Sequence, residues 1–229
     1  MARQPRLALP HQLFVVGQRG HNGMTVFADE ADRRAYLELL DESMRGAGVA
    51  LHGYGLAADA LALLVGSGAD ADGPSRAMQA QGRRYGARFN LRHGRSGTLW
   101  DGRFRAAAVD ADSSFIDALL FVEALPLRRG EALDEASSSA THHLGLRRNR
   151  LLAEHPAFWM LGNTPFEREI AYRVRWEAGL APVLLDRFEQ ALRRGAAIGP
   201  AGFVADVARS SGRDLTPRPR GRPPKPRDG

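Results

Sequence analysis

Apolar and polar positions along this chain change period several times, and each change marks an element. Residues 12–17, Gln-Leu-Phe-Val-Val-Gly, form a short apolar run closed by Arg19-Gly20-His21-Asn22-Gly23, which predicts a strand and a loop. From Asp29 to Arg45 the apolar residues Tyr36, Leu37, Leu39, Leu40 and Met44 recur at helical spacing, with acids early, where the helix dipole favours them. Apolar runs at 49–56 and 60–66 flank Ala57-Ala58-Asp59 and predict an antiparallel pair. A Gly- and Asp-rich loop, Gly66 to Pro74, leads into a second helix expected to end near Arg92, with proline in its first turn. Arg103 to Val109 reads as a fourth strand. A third helix, capped by Ser113 or Ser114, should run to about Leu125, where Pro126 ends it. The order β-α-β-β-α-β-α predicts an α+β chain: a ferredoxin-like antiparallel sheet with helices on one face, plus one extra helix.

After Gly130 the texture changes. Glu131 to Thr141 is polar and serine-rich and reads as a linker or irregular connection, followed by helices near 164–178, 180–194 and 201–211. Thr164-Pro165-Phe166-Glu167 places a cap, a proline and then an acid three positions after the cap, a helix-start signal. The expected organisation is a sheet domain over 1–130, a small helical C-terminal extension over 131–215, and a disordered basic Arg/Pro tail over 216–229.

Composition narrows the function classes. The 229 residues are 44% hydrophobic, enough for a packed core. No run of about eighteen apolar residues and no secretory leader pattern occur, so the expectation is a cytoplasmic protein with no membrane partner. With no cysteine there are no disulfides, thiolate metal sites or thiol nucleophiles, and a metal would need His, Asp or Glu.

The net charge is +6, and all but one of the 32 Lys and Arg residues are arginine, the exception being Lys225. A basic balance favours a polyanionic partner, and arginine forks onto phosphate where lysine cannot. Placement sharpens this. Arg84, Arg88, Arg92 and Arg95 follow at spacings of four, four and three, striping one helical face, with Arg83 beside them and Arg19, Arg103 and Arg105 near by. No acid occurs between Pro74 and Trp100, so the ordinary Glu partners of a solvated helix face are missing there. These arginines are the candidate phosphate contacts. Tyr85, Phe89 and Trp100 could stack on unpaired bases, although Phe89 and Trp100 read first as core residues. In the tail, Arg218, Arg220, Arg222 and Lys225 lie among prolines and glycine, and Arg220-Gly221-Arg222-Pro223 resembles the core of an AT-hook, which lays arginines into a narrow minor groove.

One larger pattern links these pieces. Pro10 through Arg19-Gly20, Leu51-His52-x-Tyr54, Gly82-Arg83-x-Tyr85, Phe89-Asn90-x-Arg92-His93-Gly94 and Gly97-x-Leu99-Trp100-x-Gly102-Arg103 occur in order. His143-Leu144-Gly145, His155-Pro156, Leu161-Gly162-x-Thr164-Pro165-x-Glu167-Arg168 and the Thr216 to Pro223 tail follow. Over almost its full length the sequence resembles the REP-associated tyrosine transposases, relatives of the small single-strand-DNA transposases. The resemblance implies a ferredoxin-like fold, a palindromic DNA hairpin as partner, Mg²⁺ or Mn²⁺ as cofactor, and strand cleavage through a phosphotyrosine.

The resemblance also locates what is missing. That chemistry needs a His-hydrophobic-His strand to hold the cation and a tyrosine on the following helix to attack phosphorus. The metal strand of the family reads like Tyr-Cys-Leu-Met-Pro-Asn-His-x-His-Leu-Leu-Val. Here Tyr54-Gly55-Leu56-Ala57-Ala58-Asp59-Ala60-Leu61-Ala62-Leu63-Leu64-Val65 keeps the frame, with Ala60 and Ala62 at both ligand positions. The nucleophile helix ends in a stretch like Arg-Tyr-Ile-Glu-Leu-Asn-Pro-Val-Arg-Ala, and Phe121 occupies the tyrosine position. None of the seven histidines rebuilds the metal strand, and Tyr36, Tyr54, Tyr85 and Tyr172 lie off the nucleophile helix. Asp59 and Glu123 are left as carboxylates that could crowd the old metal pocket.

The expected protein is therefore a DNA-binding, transposase-type pseudoenzyme for single-stranded or hairpin DNA, with no catalytic residue, no metal ligand and no cofactor. The alternative is an active transposase or single-strand endonuclease with a displaced metal site and nucleophile. Small transposases of this class often act as homodimers, whereas the extension favours a monomer. No heptad or exposed apolar strand decides between them.

Overall fold

The structure, a computed structural model, describes residues 6–134 and 136–215. The chain runs β1 (Leu13–Arg19), α1 (Glu30–Gly46), β2 (Ala50–Ala57), β3 (Ala60–Gly66), α2 (Gly73–Arg92), β4 (Arg105–Val109) and α3 (Ala111–Glu123). Four short or medium helices follow: α4 (Leu125–Arg128), α5 (Ala140–His143), α6 (Pro156–Trp159) and α7 (Pro165–Ala178). The chain then forms α8 (Pro182–Arg194), β5 (Ala197–Ile198) and α9 (Ala201–Ser211). The sheet order is β2-β3-β1-β4-β5, antiparallel except for the parallel β4–β5 pair. The first four strands have the order and crossovers of the ferredoxin-like α+β fold expected from the sequence.

Alternation along the strands decides which helices cover which face. Phe14, Val16, Leu61, Leu63 and Val65 point into the core shared with Tyr36, Leu40, Met78 and Tyr85 of α1 and α2. Leu13, Val15, Ala62 and Leu64 point the other way, into a second core with Phe115, Leu119 and Phe121 of α3. Tyr36 and Tyr85 are almost fully buried, with ring centroids 5.1 Å apart, and both pack edge-on or tilted against Phe27 and Trp100. The Tyr85 hydroxyl donates to the Val26 carbonyl at 2.6 Å. These rings, with Phe89 only 4% exposed, belong to the core and are not free to stack on bases.

Three local expectations need correction. The cap of α3 is Asp110, not Ser113 or Ser114: its carboxylate accepts from the Ser113 N–H at 3.1 Å and from its hydroxyl at 2.6 Å. Pro126 does not end α3. That helix stops at Glu123 and Pro126 sits in the first turn of α4, where its missing N–H is no loss. Of the two readings of the serine-rich connection, the irregular one fits and the linker one does not, since Ser137, Ser138 and Ser139 are 1%, 0% and 0% exposed. Ser138 bridges Gly55, the Leu56 N–H donates to Ser137, and the Ser139 N–H donates to Tyr54, so this stretch lines the outer edge of β2. The predicted capping box of α7 is present, Thr164 and Glu167 each accepting from the other's backbone N–H.

The chain after Gly130 contributes to both cores, through Tyr172, Phe188 and Ile198 on the α3 face and Val207 and Leu215 on the other. No helix of the described residues is long and apolar enough to cross a membrane.

Candidate nucleic-acid interface

On the α3 face, Ala60 and Ala62 lie beside Gly17 and Arg19 of β1, pairing in register Gly17↔Ala62 and Arg19↔Ala60. Ala62 also pairs with Gly55, where a Cβ would lie 2.2 Å from the Val122 carbonyl oxygen. Only glycine admits so close an approach of α3 to the sheet. Phe121 is carried over this floor by α3. It is 4% exposed and stacked on Phe188 of α8, with centroids 4.9 Å apart and planes at 17°. A Cβ at Gly17 would meet Leu192 of the same helix at 3.4 Å. Thus α8 closes over positions that the resemblance associates with cleavage.

What remains is a cleft of about 580 Å³. Ala60, Ala62, Phe121, Leu125 and Leu192 give it an apolar floor, and Arg19, Arg103, Arg105, Arg128, Arg129 and Arg193 stand around it against two carboxylates, Asp101 and Glu189. Three of these arginines, Arg19, Arg103 and Arg105, are among the phosphate contacts expected from the sequence. Arg128, Arg129 and Arg193 were not, because their convergence depends on how α4 and α8 dock.

The cleft does not fit the divalent cation of the resembling family. Methyl groups at 60 and 62 have no lone pair, and among the described residues no three His, Cys, Asp or Glu side chains come together in a way that could hold a metal. Asp59 pairs with Arg129 at 3.3 Å, and Glu123 is turned into the protein instead of the cleft. The arginines differ in how far they are neutralised. Arg193 lies 3.5 Å from Glu189 and 4.0 Å from Asp186, while Arg105 donates to the Arg193 carbonyl. Arg128 holds its guanidinium 4.6 Å from the Phe121 ring centroid, and its Nη1 is buried with no hydrogen-bond partner among the described residues. Burial pushes its pKa down to about 10, opposed by the nearby Glu189 charge, so it stays protonated at neutral pH.

The α2 stripe is placed differently. Arg84 meets Glu42 at 2.6 Å, Arg88 meets Glu38 at 3.6 Å, and Arg92 bridges Asp29 and the buried Asp32. The acids missing from α2 are supplied by α1, which packs alongside. Arg95 lies 5.8 Å from the Phe89 ring, and Arg83 is exposed. Arg84 and Arg88 are about half exposed, so the double substitution Arg84→Ala/Arg88→Ala should cost less than about 1 kcal/mol in a urea titration, as surface pairs do. A larger loss would show that the two ion pairs hold α1 and α2 together. Arg218, Arg220, Arg222 and Lys225 lie outside the described residues.

Sequence reasoning missed a buried network at the end of α3. Glu123, 0% exposed, accepts from His143 Nδ1 and the Tyr172 hydroxyl at 2.6 Å each and from Ser139 Oγ at 2.5 Å. Burial and the adjacent carboxylate raise the Tyr172 phenol far above its ordinary range. The one available signal was the concentration of Ser and His just after an apolar helix.

The sequence matches no protein-family profile and no curated protein. Among solved structures it is similar to a transposase-type protein from Deinococcus radiodurans R1, at 15% identity and TM-score 0.38, covering 58% of this chain and all of that one. It is also similar to a REP-associated tyrosine transposase bound to a REP hairpin, at 9% identity and TM-score 0.49, covering 68% of this chain and 99% of that one.

Proposed function

We propose that this chain is a DNA-binding protein of the transposase type that holds single-stranded or hairpin DNA and does not cut it. The observation that carries the reading is the cleft itself: an arginine-rich wall over a floor made of Ala60, Ala62 and Phe121. The wall suits phosphates, and the floor offers neither a metal ligand nor a hydroxyl nucleophile. Coverage of Phe121 by Phe188 supports the same conclusion, because a group at that position is closed off from an in-line approach to phosphorus.

The test is a gel shift and a cleavage assay on one labelled DNA hairpin, with Mg²⁺ or Mn²⁺ and a salt series. The expected result is a shift that weakens steeply with salt, with no nicked product and no covalent adduct. Chelator-sensitive nicking or a protein–DNA adduct would overturn the non-cutting half of the proposal. Absence of any shift at low salt would overturn the DNA-binding half.

A further inference from the structure

We propose that Arg128 is the phosphate-holding cation of the cleft, binding a nucleotide phosphate there without any divalent metal. The inference rests on the DNA-binding reading for its biological ligand, but its chemistry stands on the site alone. Arg128 lines the cleft, and its Nη1 is a buried donor with no hydrogen-bond partner among the described residues, so the guanidinium carries hydrogen-bonding capacity that the fold itself leaves unused. The neighbouring cleft arginines Arg129 and Arg193 already face carboxylates, at 3.3 and 3.5 Å, whereas Arg128 has no ion pair among the described residues. Phe121 supports the guanidinium from its ring, 4.6 Å away, and both side chains line the same cleft as Ala60 and Ala62.

The disagreement with a metal site therefore has a physical reading. A guanidinium cannot be chelated away and supplies no coordinated water, yet it donates two parallel hydrogen bonds to phosphate oxygens. It would hold the phosphate in the cleft that Ala60 and Ala62 also line and leave the ester bond intact. The cleft volume, about 580 Å³, is that of a small-ligand site and suits a single nucleotide unit, with sugar on the apolar floor and phosphate on the arginine.

The experiment uses the full chain in EDTA with two probes, inorganic pyrophosphate followed by thermal shift and a fluorescent DNA hairpin followed by anisotropy. Arg128→Gln and Arg128→Lys are compared with Arg34→Gln, a control of equal charge change at an exposed arginine of α1 that pairs with Glu30 and does not line the cleft. Wild type and the control should be stabilised by pyrophosphate in EDTA. Arg128→Gln should lose that shift while its own unliganded Tm is unchanged or higher, since an unsatisfied buried donor has been removed. Arg128→Lys, which keeps the charge without the fork, should fall between. Hairpin affinity should drop about tenfold or more in Arg128→Gln, the loss expected for a charge-assisted hydrogen bond. Equal binding of both probes by Arg128→Gln and the control would overturn the proposal, as would binding that appears only when Mg²⁺ is restored. Should pyrophosphate bind through Arg128 while no hairpin binds at any salt, the anion site stands and the DNA reading falls. Should the hairpin bind wild type and Arg128→Gln equally, the reverse holds.

Discussion

Glu123→Ala should destabilise the protein by about 3–5 kcal/mol, the largest loss expected from any single polar substitution here. The carboxylate is fully buried and is the common acceptor for Ser139, His143 and Tyr172. Removing it leaves the His143 and Tyr172 donors without a partner, while Ser139 can still turn its hydroxyl to the Tyr54 carbonyl at 3.3 Å, and each unsatisfied group carries its own desolvation penalty. The three donors come from the stretch after Gly130, whereas Glu123 ends α3, so the substitution also unfastens that stretch from the helix carrying Phe121. Glu123→Gln keeps one oxygen acceptor and should cost clearly less. Urea midpoints at unchanged m-value would measure both. A loss under about 1 kcal/mol for the alanine variant would mean that water or repacking replaces the carboxylate.

Acidification from pH 7 to pH 4 should remove about 3 kcal/mol of stability through His52 alone. His52 is 5% exposed on β2, its Nδ1–H donates to the Ala153 carbonyl at 2.8 Å, and its ring meets those of Phe115 and His155. Burial pushes its pKa down to about 4 from 6.5, with the charges of His155 and His143 adding to the effect and the Ala153 bond opposing it. Between those values the unfolded chain binds a proton that the folded chain refuses, so stability falls as pH falls across that window. His142 and His155 are lowered too, again mainly by burial, and reinforce the trend. Asp29 works in a separate window. Its carboxyl is held well below 3.8 by the Arg92 hydrogen bond, so its contribution is lost only as pH drops below that value. His52→Gln should flatten the profile between pH 4 and 6.5 while leaving the more acidic limb. An unchanged profile would assign the acid sensitivity to other groups.

Much of the fold was legible because its signals are local. The apolar run at 60–66, the helical spacing of Tyr36, Leu40 and Met44, and the Thr164–Glu167 capping box each specify an element without reference to the rest of the chain. The floor of the cleft was legible for another reason: Ala60 and Ala62 sit in an otherwise intact strand frame, Phe121 falls at the tyrosine position of a helix that also departs at Leu120 and Leu125, and the structure brings Ala60, Ala62 and Phe121 to one cleft. What could not be read depends on docking. The acid-free run of α2 looked unpartnered, yet Glu38 and Glu42 wait on α1 and Asp29 caps its start, some fifty residues earlier. The cover supplied by Phe188 and Leu192, and the lack of an ion pair for Arg128 among the described residues, follow from where α8 and α4 settle. Strand β5 has two residues, too few for any periodicity to show.

Those two residues, with the serine stretch at the opposite side, bear on how the chain is made. Both outer edges of the four-stranded sheet are closed by later segments: β2 by Ser137 to Ser139 and by Ala153, whose N–H donates to Leu51, and β4 by Ala197 and Ile198. At a synthesis rate of roughly 5–20 residues per second, roughly 3 to 14 seconds separate the emergence of Gly130 from that of Ile198. Early in that interval a nascent chain can fold its central strands but carries two open rows of hydrogen-bonding groups, and after Ala153 has emerged the row on β4 stays open until Ile198, a template for another growing chain. Crowded polysomes and slow codons beyond position 130 would therefore be where this protein is most prone to aggregate, and a chaperone that shields strand edges would matter more to its yield than one that shields apolar surface.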